Sequence, residues 1–151
     1  VSALRAASYP GRTVIVSGLA SDAHTWNLVY LQLLIEELGH DVVNLGPCVP
    51  ADLLVASCDR HRPALVVLSS VNGHGYQEGL ELIRTLRGTG LRDLPVVIGG
   101  QLGTRGGLSG RHIDDLLDAG FDAVFDDHAD STVLFRRFVA ELAEGAPRAL
   151  R

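Results

Sequence analysis

The chain has 151 residues, 46% of them hydrophobic and 21% charged, which suits one globular domain with a packed core and no membrane span. Its net charge of -5 argues against a nucleic-acid-binding surface. All 13 basic residues are arginine, which excludes every mechanism that needs a lysine. Residues 1–11 have no hydrophobic periodicity and contain Pro10 and Gly11, so they read as a lead-in to a domain over 12–144, with 145–151 as a tail. The start of the chain shows no charged-then-apolar signal pattern, and the expected location is cytoplasmic. Thr13–Val16 is a buried strand with β-branched residues throughout. Leu28, Leu31, Leu34, Ile35 and Leu38 recur at helical spacing and predict a helix over Asn27–Leu38, stopped by Gly39. Val42–Leu45 is a second strand, ended by Gly46 and Pro47, and Pro50 opens a helix over Ala51–Arg60.

Ala64–Leu68 is the most hydrophobic strand, continuous rather than alternating, as expected when helices cover both faces. A polar loop from Ser69 to Gly75 follows, then a helix over Gln77–Leu86. Pro95–Ile98 is the fourth strand and runs into Gly99, Gly100 and a glycine-rich loop through Gly110. A short helix over Ile113–Leu117, a strand over Ala123–Phe125 and a helix over Ser131–Glu144 complete the chain. In the last helix Val133, Leu134, Phe138, Val139 and Leu142 are expected to face inward. Cys48 and Cys58 lack metal-type spacing and read as idle thiols.

Strands joined through helices run parallel, and right-handed crossovers give an α/β three-layer sandwich. The fold class is thus a doubly wound, flavodoxin-like five-stranded parallel sheet of order 2-1-3-4-5. Its switch point lies between strands one and three, and ligands bind outside the carboxyl ends there. Three unusual segments converge on that edge: Ser21, Asp22, Ala23, His24 and Thr25 after strand one; Ser69, Ser70 and Val71 after strand three; and Gly99, Gly100, Gln101 and Leu102 after strand four. An aspartate two residues before a histidine suits a metal ligand, because the carboxylate holds one ring N–H and leaves the other nitrogen bare. A phosphorelay receiver needs an aspartate after strand three and a lysine after strand five. Ser69 and Ser70 stand at the first position, and the chain has no lysine. A dinucleotide site needs a Gly-x-Gly-x-x-Gly turn, which is absent. A flavin phosphate loop over Ser17–Ser21 leaves Asp22 and His24 unexplained.

The three segments resemble the Asp-x-His-x-x-Gly, Ser-x-Leu and Gly-Gly motifs of cobalamin-binding domains, and they are most similar to those of the small subunit of glutamate mutase. Asn27 stands where the motif has its last glycine, Val71 where it has leucine, and Trp26 lies beside the ligand position. The resemblance implies the cobalamin-binding subunit of an adenosylcobalamin-dependent carbon-skeleton mutase, an isomerase that interconverts glutamate and 3-methylaspartate. It implies His24 as axial cobalt ligand and Asp22 as acceptor of its other N–H. A nucleotide tail would run between strands one and three, with Ser69 bonded to its base, Gly99 and Gly100 giving it room, and Gln101 and Leu102 flanking it. No catalytic residue falls on this chain. The catalytic machinery and the amino-acid substrate are expected on a larger TIM-barrel-type subunit, without which this one is inactive. Two alternatives stay open: a degenerate domain kept as a structural or regulatory partner, and a corrinoid methyl-carrier protein.

Overall fold

A computed structural model describes residues 12–101, 110–126 and 130–143. The proposed lead-in and tail, Leu102, and Asp127 to Ala129 lie outside the described residues. Strands β1 (Thr13–Gly18), β2 (Asp41–Gly46), β3 (Leu65–Ser70), β4 (Val96–Gly100) and β5 (Ala123–Asp126) alternate with helices α1 (Trp26–Glu37), α2 (Ala51–His61), α3 (Gly75–Gly88), α4 (Gly110–Ala119) and α5 (Ser131–Ala143). The strands pair in parallel in the order β2-β1-β3-β4-β5, as the sequence predicts. None of the described helices is long and apolar enough to cross a membrane.

Alternation of side chains along each strand divides the core between the two faces of the sheet. Val14, Val16, Leu65, Val67 and Val97 point to α1 and α5, where they meet Leu28, Leu34, Ile35, Phe135, Phe138 and Val139. Ile15, Val66, Leu68, Val96 and Ile98 point the other way, to Leu54 of α2, Leu82, Ile83 and Leu86 of α3, and Leu116 of α4. Strand β3 is buried along its whole length because helices cover both of its sides. In α5 the inward stripe is Phe135, Phe138, Val139 and Leu142, while Val133 and Leu134 are exposed, against expectation. Four residues at i, i+3, i+4 and i+7 share one helical face, and adding Val133 and Leu134 would require a stripe too wide for one sheet to cover.

Gly39 ends α1 as the sequence indicates. Its φ of 98° belongs to the left-handed region. There Gly39 N–H donates to the Glu36 carbonyl at 3.0 Å and His40 N–H to the Ile35 carbonyl at 3.4 Å, which pairs the last free carbonyls of the helix. The chain is thereby turned straight into β2.

The strands run further than their apolar cores. Ser69, Ser70, Gly99 and Gly100, expected in loops, are strand residues, because the ladder continues through Ser69 opposite Gly99 and Ser70 opposite Gly100. Gly18 pairs with Ser69, and Gly99 also pairs with Phe125. One register row at the carboxyl edge therefore reads Gly18, Ser69, Gly99, Phe125 across β1, β3, β4 and β5.

Candidate functional site

The loop from β1 to α1 is pulled down onto the sheet edge by Asp22. Asp22 N–H donates to the Leu19 carbonyl at 3.0 Å, and Leu19 is buried. The Asp22 carbonyl accepts the Cys48 N–H at 3.0 Å, tying the loop to the segment after β2. Its side chain, 1% exposed, then serves both neighbours on the edge. One carboxylate oxygen accepts the Val71 N–H at 2.6 Å and the Asn72 N–H at 3.3 Å. The other accepts the His24 N–H at 3.0 Å and lies 2.7 Å from His24 Nδ1. Burial pushes the carboxyl toward protonation, but the backbone N–H groups of Val71 and His24 and the His24 ring outweigh it and hold it below its ordinary value. A buried carboxylate facing Nδ1 fixes the imidazole with its proton on that nitrogen.

His24 Nε2 is then bare. The His24 side chain is 60% exposed, and among the described residues Nε2 has no partner. Asp22 thus holds a basic ring nitrogen outward from the strand edge.

Beside it a groove of about 200 Å³ opens between α1 and α5. Its walls are Asn27, Tyr30, Leu31 and Leu34 on one side and Ser131, Thr132 and Phe135 on the other. Its floor is β3, β4 and β5, including Ser69, Gly99, Gly100, Phe125 and Asp126, together with Val71 just after β3. Strands β1 and β3 are directly hydrogen-bonded as far as Gly18 and Ser69, and the open space of this groove lies above the sheet. Edge-to-face packing of Phe125 on Phe135 and Phe138, with centroids 5.4 and 6.0 Å apart, makes part of the apolar surround.

The other candidate residues divide by face. Ser69 and Gly99 point into the groove, whereas Ser70 points to the opposite face, where its hydroxyl donates to the Asn72 side-chain oxygen at 3.2 Å. Ser21 also turns away: its N–H donates to Glu78 at 3.2 Å, and the Asn72 side-chain amide donates to its hydroxyl at 3.0 Å. Ala23, Thr25 and Gln101 are exposed at the edge. Gly100 has a φ of 104°, and a Cβ there would lie 2.2 Å from the Ser70 carbonyl oxygen. A Cβ on Gly99 would lie 3.0 Å from the Phe125 carbonyl oxygen. Both glycines are thus demanded by close packing of the edge itself. The two cysteines do not enter this arrangement as a pair. Cys48 is exposed, and burial pushes the Cys58 thiol up to about 11.

Among the described residues no three His, Cys, Asp or Glu side chains gather as a site for a bare metal ion. A bare ion needs several protein donors, but a metal already held in the plane of a macrocycle needs only one axial ligand. One outward imidazole beside a groove suits the second case. The sequence matches the B12 binding domain family over residues 12–124.

The chain belongs to that family.

This B12-binding domain is similar over most of its length to two curated relatives. Glutamate mutase sigma subunit 1 of Haloarcula marismortui is 32% identical over 122 residues, covering 81% of this chain and 80% of that one. Sigma subunit 2 of the same organism is 29% identical over 131 residues, 87% of this chain and 88% of that one. Among solved structures, a cobalamin-binding protein of Desulfitobacterium hafniense superposes with a TM-score of 0.68 at 23% identity, over 85% of this chain and 59% of that one. At that identity the likeness speaks for the fold. Family membership and the sigma-subunit relatives together support a cobalamin-binding subunit.

Three features of this B12-binding domain escaped the sequence. The Val71 and Asn72 N–H groups that hold Asp22 are backbone atoms and leave no residue signature. The bond from the Asn27 side chain to Ser69 joins positions 42 apart. The α5 wall of the groove depends on how that helix crosses the sheet.

Proposed function

We propose that this chain is the cobalamin-binding subunit of an adenosylcobalamin-dependent carbon-skeleton mutase of the glutamate mutase kind. The observation that carries this is the Asp22–His24 pair, with Nδ1 held at 2.7 Å and Nε2 turned outward beside the groove. His24 would ligate cobalt through Nε2, and Asp22 would keep the ring proton on Nδ1 and strengthen the ligand as a base. Ser69 and Gly99 on the groove floor would receive the nucleotide tail, with Val71, Tyr30 and Phe135 as its apolar contacts. When bound, adenosylcobalamin supplies the radical chemistry that carbon-skeleton rearrangement requires.

Ser21, Ala23 and Thr25 shape the His24 loop, and Gln101 sits at the exposed end of β4 beside Gly100. Glutamate would be held by a larger barrel-type catalytic subunit in the same cytoplasmic compartment. The relatives' names support this division of labour, since both are named as subunits of glutamate mutase.

The test is recovery of a partner from the native cell on tagged chain, with and without added cobalamin, and assay of any complex for conversion of glutamate to 3-methylaspartate. Cobalamin-dependent capture of a large subunit and turnover by the complex alone are expected. Turnover by the isolated chain, or recovery that ignores cobalamin, would overturn the assignment. A cobalamin-dependent complex that ignores glutamate would remove only the substrate.

A further inference from the structure

Asn27 is the second residue of α1 and one wall of the groove. Its side-chain amide donates to Ser69 Oγ at 2.7 Å, across the junction between the helix and β3. Ser69 is only 3% exposed, so little of its hydroxyl is left for anything entering the groove. The other end of the same amide is badly placed. Asn27 Oδ1 is buried and has no partner among the described residues. An inserted amide with one end bonded and the other unpaired is held in by a single contact, and release to water would satisfy its carbonyl.

We propose that Asn27 is a specificity-determining plug: its side chain, bonded to Ser69 Oγ, covers the Ser69 hydroxyl, so a corrinoid's nucleotide tail must push it aside before the Ser69 O–H can donate to the tail. The inference rests on the cobalamin-binding reading. It separates two kinds of ligand by their chemistry. A corrinoid that carries a nucleotide tail must move Asn27 out of the space over Ser69. Cobinamide, the same ring without the nucleotide, can ligate His24 while the plug stays in place. Asn27 therefore lowers affinity for the tailed cofactor alone, and its removal restores a gap at the mouth of the groove without touching the Asp22–His24 pair.

The experiment measures binding of cobalamin and of cobinamide, by absorption spectroscopy and equilibrium dialysis, to the parent chain and to Asn27→Gly and Asn27→Ala. Alanine retains helix propensity in the first turn of α1, which glycine does not, so it keeps the test valid if the glycine variant folds poorly. Both variants should bind cobalamin about two- to tenfold more tightly, the factor set by no longer having to break the Asn27–Ser69 hydrogen bond, one of ordinary net strength, when the tail enters. Cobinamide affinity should stay within about twofold of the parent, the range of small changes in helix-end stability. An unchanged cobalamin affinity, or an equal change for both corrinoids, would overturn the plug, the latter by placing the effect of Asn27 on the loop or the ring instead. Binding of neither corrinoid to any of the three chains would overturn the cobalamin reading itself and the plug with it.

Discussion

Replacing Asp22 with asparagine keeps the shape of the side chain and exchanges one acceptor oxygen for an NH2 group. In the native protein one oxygen accepts from Val71 at 2.6 Å and Asn72 at 3.3 Å, and the other faces His24 N at 3.0 Å and His24 Nδ1 at 2.7 Å. An asparagine oxygen can serve only one of those pairs. The Val71 and Asn72 N–H groups directly follow the β3 ladder and move least, so the NH2 falls toward His24. Hydrogen bonds to a charged group contribute about 1.5–3 kcal/mol each. Because the imidazole is 60% exposed, its share is reduced by solvent, and the combined loss is about 2–4 kcal/mol. The same exchange inverts the ring. An NH2 group can only donate to Nδ1, which drives the ring proton to Nε2, the nitrogen that ligation needs bare. Urea denaturation measures the first effect, and the nitrogen chemical shifts of His24 in a 15N-labelled sample measure the second. Asp22→Asn within about 0.5 kcal/mol of the parent, with the proton still on Nδ1, would refute the reasoning.

Further outcomes follow from other parts of the edge and the core. Gly100→Ala should destabilise the fold by about 2–4 kcal/mol in chemical denaturation, since its methyl would meet the Ser70 carbonyl at 2.2 Å with the backbone already at φ 104°. Gly88→Ala, where a Cβ meets nothing within 4 Å at the end of α3, should instead stabilise by about 0.5–1 kcal/mol, and a loss at both positions would argue that the contrast is not steric. His40 is buried, and burial holds its imidazole below the ordinary 6.5. The unfolded chain therefore binds the proton first as pH falls below 6.5, so its contribution to stability is complete above that value and is lost on acidification. Denaturation midpoints at pH 7.5 and 5.5 should fall more for the native chain than for His40→Asn, and parallel losses would contradict the assignment.

Much of this architecture is legible in the sequence for a physical reason. Continuous apolar strands such as Leu65–Leu68 and the 3.6-residue stripe of Leu28, Leu31, Leu34, Ile35 and Leu38 each state their own environment. Once strands and helices alternate, short crossovers leave few topologies open. The carboxyl ends of β3 and β4 were harder to place because Ser69, Ser70, Gly99 and Gly100 are polar or small, and their strand character comes only from pairing with each other. The inward face of α5 is not marked by composition, because Val133 and Leu134 are as apolar as the residues that do pack. Helix phase alone, set by Phe135, Phe138 and Val139, separates them. The Asp22 and His24 spacing is readable locally, whereas the groove belongs to the relative placement of α1 and α5 over the sheet. No local pattern encodes that placement.

The central claim is that His24 of this chain is the axial ligand of cobalt, and the most direct measurement is the electron paramagnetic resonance spectrum of the chain loaded with cobalamin and reduced to Co(II). With 15N-histidine incorporated, the nitrogen splitting should change from the pattern of 14N to that of 15N, and His24→Ala should abolish the protein-derived splitting while the other five histidines remain. A splitting that ignores the label in the protein and follows a label in the cofactor's own base would contradict the account.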